Sequence, residues 1–374
     1  MASRRFAALL PVAAVAVILL GSALTIAVAG DTLGYDFAAY HRAAARVLAG
    51  APAYDQAYQV AGPYGLFLYP PTFLPLVLAF GALPFEAALG AWLVCLGLAF
   101  AAGVVALPVS TRTRWWIVLL AGQSWPFLYG LKLGQVGPIL FLLFALGWRG
   151  LSRPALLGAT GALGAAIKVQ PGIVLAWALA TRRWSAVVAG VVVLAVLSLV
   201  ATVVAGPGSW GDFAGLLARV SDPVTTPHNF TPGAIAYQLG LARDAAALLQ
   251  WVAMGLVVVL VIGAALWLDA VPSYLVAVTA SQLLSPILWD HYAMLLLLPV
   301  AWLLDRGIRW AIAVPLATSI VLVGWIPPVV YPASFVITLA ALVLVGARDR
   351  RARGPASGAG SAPVSPSGLE RVRP

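Results

Sequence analysis

Residues 184–205 read WSAVVAGVVVLAVLSLVATVVA, directly after Arg182-Arg183. No charged residue interrupts the run. About 20 apolar residues in a row is the length a helix needs to cross a bilayer. Similar runs lie on both sides. They are bounded by Arg, Asp, Gly or Pro and cover roughly 66–84, 86–108, 115–131, 136–148, 155–169, 171–181, 245–268, 271–288, 291–304, 310–326 and 332–347. A further run opens the chain from Phe6 to Ala29, after Arg4 and Arg5. Composition agrees: of 374 residues, 62% are hydrophobic and 9% charged, with a mean hydropathy of +0.99. A soluble domain carries about 25% charged residues, so this chain cannot cover a water-facing surface. It reads as an all-α polytopic membrane protein.

Arginine position orients the runs. The chain holds 22 Lys plus Arg against 12 Asp plus Glu. We read the excess as cytoplasmic arginine, not as a nucleic-acid surface. Arg112 and Arg114, Arg149 and Arg153, Arg182 and Arg183, Arg306 and Arg309, and Arg348 onward mark one side. An even number of runs separates every pair of these marks except the stretch before Arg112, where 66–84 makes three. Pro70, Pro71 and Pro75 lie in that run, which suits a re-entrant or interfacial segment. The expectation is about 12 transmembrane helices with both termini inside.

Four further readings follow. The opening run ends in Ala27-Val28-Ala29, which resembles a signal-peptidase site, but it is longer than a signal's apolar core and reads as a retained helix. Phe37, Tyr40, Ala44 and Val47 repeat at helical spacing with Arg42 and Arg46 on another face, which predicts a short amphipathic helix at the membrane surface over 37–48. Residues 348–374 are rich in Arg, Gly, Ser and Pro and read as a disordered cytoplasmic tail. The single cysteine, Cys95, excludes a disulfide within the chain and a Cys-based zinc site.

The rare polar residues fall at outer-side ends of the runs. They include Asp31, Asp36, Asp55, Lys132, Gln135, Lys168, Gln170, Asp212, Asp222, His228, Asn229, Asp290 and His291. Ionisable groups in membrane segments are functional candidates. Asp36 stands where it could either N-cap the amphipathic helix or act as a base. Lys168 ends an apolar run just before Val169-Gln170-Pro171, so it could snorkel or bind an anion. His291 follows Asp290, and an imidazolium suits a phosphate. The runs 136–148, 155–169 and 171–181 are too short to span, which implies a cavity open to the outer face. Broken helices around such a site also fit a secondary transporter or lipid flippase. That alternative predicts polar groups on both sides, whereas these lie on one.

Taken together, several short motifs resemble glycosyltransferase family 87, the polyprenyl-phosphate-mannose-dependent mannosyltransferases. They are Asp36-Phe37-Ala38-Ala39-Tyr40, Leu48-Ala49-Gly50, Tyr54-Asp55, Tyr69-Pro70-Pro71, Gly134-Gln135-Val136, Lys168 before Pro171, Arg182-Arg183-Trp184, Asn229-Phe230-Thr231 and Ser285-Pro286 to Trp289-Asp290-His291. They follow the family's order from about residue 31 to 305. The family often has Lys-Pro-x-Pro where this chain has Lys168-Val169-Gln170-Pro171, paired histidines where it has His291-Tyr292, and Asn-Gln-Ser where it has Asn229-Phe230-Thr231.

The resemblance implies a GT-C type transferase domain over 1–347, with an outer loop at 31–65. It implies a polyprenyl-phosphate sugar as donor, with mannose as the sugar, and a lipid or glycan as acceptor. Transfer would occur on the outer face of a bacterial inner membrane, with inversion. Asp36 would be the general base, while Lys168 and His291 would bind the leaving phosphate and Asp290 would orient His291. Gln135, Tyr69 and Asn229 would hydrogen-bond sugar or phosphate, supported by Tyr40, Tyr54, Asp55 and Trp289. The scheme calls for no metal or other cofactor and no nucleic acid.

Overall fold

The computed structural model describes residues 2–54, 65–220 and 223–352. Among them there is no strand, only an isolated bridge between Ser124 and Ser319. Seventeen helices follow in order. The first nine are α1 Ala2–Ala27, α2 Tyr35–Leu48, α3 Leu74–Val77, α4 Phe85–Ala106, α5 Thr111–Ala121, α6 Trp125–Leu133, α7 Gly137–Arg149, α8 Pro154–Ile167 and α9 Ile173–Ala180. Then come α10 Trp184–Ala205, α11 Gly208–Val220, α12 Pro232–Gln238, α13 Arg243–Trp267, α14 Ala270–Leu283, α15 Leu297–Asp305, α16 Ala313–Ala317 and α17 Val330–Ala352.

Among the described residues, five helical segments are long and apolar enough to cross a membrane: Leu9–Ala27 of α1, then α4, α10, α13 and α17. A sixth is reached if α6 and α7, bent by 119° at their junction, count as one broken span. Their outer faces confirm the solvent. Val188, Val192, Val196, Leu199 and Val203 of α10 are all exposed, a surface that only hydrocarbon suits. The chain is an all-α membrane protein.

Three expected runs are built differently. The run 115–131 is not one helix. It breaks at Gly122–Ser124, where Trp125 N–H donates to Thr318 O at 2.8 Å and Ile320 N–H donates to Gln123 O at 2.8 Å. The freed backbone groups are thus paired inside the protein. The run 310–326 is a chain of short 3-10 and α turns around α16. The run 332–347 extends to Ala352, so Arg348, Arg350 and Arg351 are helical. The rest of the expected tail, from residue 353, lies outside the described residues, as do Asp55 and Asp222.

The expected amphipathic helix is α2, with Phe37, Ala39, Tyr40, Ala43 and Ala44 buried. An aromatic cluster docks it. Phe37 stacks on Trp92 of α4 at 5.4 Å between ring centroids, and Tyr40 meets Tyr69 edge-on at 4.8 Å and Phe73 at 5.2 Å. Such pairs add about 0.5–1.5 kcal/mol each beyond burial. The proline-rich segment after it is a short apolar helix over Pro71–Ala82. Thr72 Oγ1 donates to Ala166 O at 2.7 Å, which ties this segment to the end of α8.

Helix packing relies on small residues. A methyl group on Gly21 of α1 would run into the carbonyl of Gly122, and one on Gly122 into the backbone of Ile18. Gly97, by contrast, faces open space. Gly21→Leu is expected to cost about 1–3 kcal/mol through overpacking, read as earlier thermal unfolding in detergent. Gly97→Leu should unfold with the parent.

Candidate active site

Two glycines in the left-handed region bring the centre together. Gly34 (φ 72°) precedes α2, and its N–H donates to Lys132 O at 2.7 Å. Gly134 (φ 72°) ends α6. The Gln135 N–H reaches back to Gly130 O at 2.8 Å, which is a Schellman closure. A β-carbon on Gly134 would press on Phe37. The start of α2 therefore lies against the end of α6, and Asp36 faces Gln135.

Asp36 sits in the first turn of α2, whose N-cap is Gly34 with no side-chain cap bond. The capping role that the sequence left open is not what the carboxyl does. Instead, Gln135 Nε2 donates to Asp36 Oδ2. Gln135 Oε1 accepts from Tyr69 Oη at 3.0 Å, and Tyr40 Oη donates to Tyr69 Oη at 2.6 Å. The chain Tyr40–Tyr69–Gln135–Asp36 fixes the carboxyl from behind. Burial lifts the Asp36 carboxyl from its ordinary 3.8 to about 6. The Gln135 hydrogen bond and the Lys168 charge pull it back down, and the Asp290 charge adds to the rise. Gln135→Leu removes a bond to the charged form. The acid limb of the pH–activity profile should then move to higher pH; an unmoved limb would mean that another group sets it.

Asp36 lines two cavities. The first, about 210 Å³, also meets Tyr40, Tyr69, Gln135, Lys168, Trp289 and Tyr292, with apolar walls from Leu66, Leu68, Phe213 and Leu217. The second, about 610 Å³, meets Tyr35, Trp125, Tyr129, Lys132, His228, Trp289, Asp290, His291 and Tyr331. Asp36 and Trp289 belong to both walls.

Lys168 is the C-cap of α8, in extended backbone (φ −138°, ψ 139°) before the Gln170–Gly172 turn. The break forced by Pro171 turns its side chain into the first cavity. Its Nζ donates to Tyr292 Oη at 2.9 Å and lies 4.0 Å from the centre of the Tyr292 ring. Only one donor position of the ammonium is used by that bond, so others remain to meet an anion.

His291 is 5% exposed, and neither ring nitrogen has a hydrogen-bond partner. Asp290 does not orient its ring by a hydrogen bond, since Oδ1 stands 3.8 Å from His291 Nδ1. That oxygen accepts the His291 backbone N–H at 2.8 Å, and Oδ2 accepts from Trp125 Nε1 at 2.8 Å. Lys168 and His291 therefore line different cavities, on either side of Asp36.

Asn229 lines neither cavity. Its amide nitrogen donates to Pro223 O and Pro286 O, and its oxygen accepts from the N–H groups of Thr231 and Leu288. That fourfold pairing pins the loop before α12 to the 286–288 strap, a structural use of a buried amide. Tyr54 stands behind the site and donates to Tyr69 O at 2.8 Å. The sequence reading missed Trp125, Tyr129 and Tyr331. The Ser124-Trp125-Pro126 stretch offered a break signal inside a run that otherwise reads as continuous.

The site is thus a carboxyl shared by two cavities, each lined by polar and apolar side chains, in a helical membrane body. The family model of glycosyltransferase family 87 matches residues 67–299, more than half of the chain. The chain belongs to that family and is a glycosyltransferase. The match contains Tyr69, Gln135, Lys168, Asn229, Trp289, Asp290 and His291, while Asp36 lies before it. No curated protein and no solved structure matches.

Proposed function

We propose that the enzyme moves a hexose, with mannose as the sugar, from a polyprenyl phosphate to a hydroxyl of a lipid or glycan acceptor. The observation that carries this reading is the position of Asp36 on the wall shared by two cavities. The first cavity takes the donor, with the phosphate at Lys168 and the start of the prenyl chain along Leu66, Leu68, Phe213 and Leu217. The second takes the acceptor, whose sugar rings stack on aromatic faces such as the paired Trp125 and Tyr129, 4.8 Å apart.

The acceptor oxygen attacks the anomeric carbon from the side opposite the phosphate. The bond from that carbon to the phosphate oxygen breaks, and its electron pair leaves with the polyprenyl phosphate. One displacement inverts the configuration. Asp36 takes the acceptor's proton as the new bond forms. Lys168 meets the charge that grows on the phosphate. Gln135 and the two tyrosines behind it hold the carboxyl in place.

The site faces the outer side of a bacterial inner membrane, in a GT-C type body of about 12 crossings. Charge distribution supports the orientation. Arg350 and Arg351 end α17, whose other end carries Tyr331 of the acceptor cavity. Arg4 and Arg5 begin α1, whose other end leads to Asp36. In a Cys95→Ser background, a cysteine at Thr225 should label from outside the cell. Cysteines at Arg183 and Arg350 should label only after permeabilisation. Equal labelling of all three in intact cells would sink the orientation.

The direct test is purified enzyme with a panel of polyprenyl-phosphate sugars, scored by release of polyprenyl phosphate. We expect turnover with the mannosyl donor and none with nucleotide sugars. Turnover with a nucleotide sugar alone would overturn the donor assignment.

A further inference from the structure

The far end of the molecule holds a second kind of site. α17 starts at the acceptor cavity with Tyr331 and ends at Ala352. At 1.5 Å per residue, Arg350 lies roughly 30 Å further along the helix. α13 runs alongside it in the same sense, its first turns packed on α12 next to Phe230 of that cavity and its last turn at Trp267. Between the C-terminal ends of the two helices is an open groove of about 820 Å³. Its lining is apolar apart from Arg350 and Arg351, which close the sequence of lining residues on α17.

We propose that this groove binds an anionic glycerophospholipid of the leaflet opposite the transfer site. Four observations converge on that occupant. Among the described residues that line the groove there is no acid, and the nearby Asp349 is engaged by Arg306 Nε at 3.1 Å, so the lining itself carries positive charge. Arg350 Nη1 donates to Trp267 O, which fixes the guanidinium at the end of α13 and uses one of its five donors. A guanidinium held this way matches phosphate oxygens in pairs. Trp267 is 74% exposed, as befits a ring at the headgroup level. Gly263 leaves depth for an acyl chain, since a side chain there would meet nothing within 4 Å.

A phosphate between Arg350 and Arg351 with its chain beside Gly263 uses all four features. Basic pockets between membrane helices bind anionic headgroups in this way. The protein's own C-terminal segment is a poor rival. Residues 353–374 contain Arg353, Arg371 and Arg373 against Glu370, and that net positive charge is repelled by the rim.

The test is native mass spectrometry of the full-length protein, delipidated in detergent and titrated with phosphatidylglycerol or with phosphatidylcholine of the same acyl chains. We expect phosphatidylglycerol to be retained preferentially. Arg351→Ala should weaken that retention by roughly fivefold, on the basis of about 1 kcal/mol per basic residue at a lipid headgroup. Gly263→Phe should abolish it by filling the groove, and it leaves both charges in place. Arg350→Ala is the less clean variant, since it also frees the Trp267 carbonyl. Equal retention of the two lipids would overturn the proposal, as would parent-like binding by both Arg351→Ala and Gly263→Phe. Equally tight competition by soluble inorganic phosphate would show an anion site with no use for a lipid. Sugar transfer does not enter this readout, so its result is independent of the donor and acceptor assignments.

Discussion

Asp36→Asn is expected to abolish sugar transfer, with a loss of roughly 10²-fold or more, while the protein stays folded and binds donor. Asparagine keeps an oxygen and the place beside Gln135 but takes no proton at neutral pH. In the parent, the carboxyl ionises at about 6, so kcat/KM should fall about tenfold per unit below that pH and level off above it. The stability effect has the opposite sense. The folded value of about 6 lies above the ordinary 3.8. Between those two values the folded chain holds the proton more tightly than the unfolded chain, and stability falls as pH rises through the window. Asp36→Asn cannot ionise and should unfold no earlier than the parent at pH 7. A variant that loses activity and stability together would point to a structural carboxyl. Near-parental transfer by a folded Asp36→Asn would falsify the base assignment.

Lys168→Ala carries the second largest effect. It removes the cation of the smaller cavity, and one contact to developing charge is worth ~3 kcal/mol, or about 10²-fold in rate. The alternative is that Lys168 merely braces Tyr292, on which it rests. Tyr292→Phe separates the two, because it keeps the ring and deletes only the hydroxyl. We expect Tyr292→Phe to retain most of the activity that Lys168→Ala loses, and Lys168→Arg to fall between them. If Tyr292→Phe is as impaired as Lys168→Ala, the lysine acts through the tyrosine. His291 tests the division of the site: because it lines the larger cavity, His291→Ala should raise the KM for acceptor more than the KM for donor.

Periodicity and charge made the membrane body, the amphipathic helix that follows α1 and the polar cluster legible. Asp36, Lys168, Gln135 and Tyr69 stood out as polar or proline-flanked points in apolar surroundings, and the fold does bring them to one cavity. Their partners were not legible. Gln135 meets Asp36 across 99 residues and Lys168 meets Tyr292 across 124, and no local pattern encodes a contact at that range. Aromatic residues misled for a related reason. Trp125 and Tyr331 look like any interfacial ring until the break at Gly122–Ser124 and the start of α17 aim them at the second cavity. Asn229 erred the other way: an amide in a polar motif suggested a ligand, yet four backbone groups consume it.

On the proposed reading, the wall shared at Asp36 also constrains the kinetics of turnover. If each cavity takes one substrate as proposed and transfer is a single displacement, both substrates must be bound before anything reacts, and no sugar rests on the protein in between. Initial-rate plots should intersect rather than run parallel. Spent polyprenyl phosphate should compete with fresh donor alone and leave the acceptor's chamber free to refill. On that reading, carriers can exchange in one cavity while the other stays occupied by the acceptor.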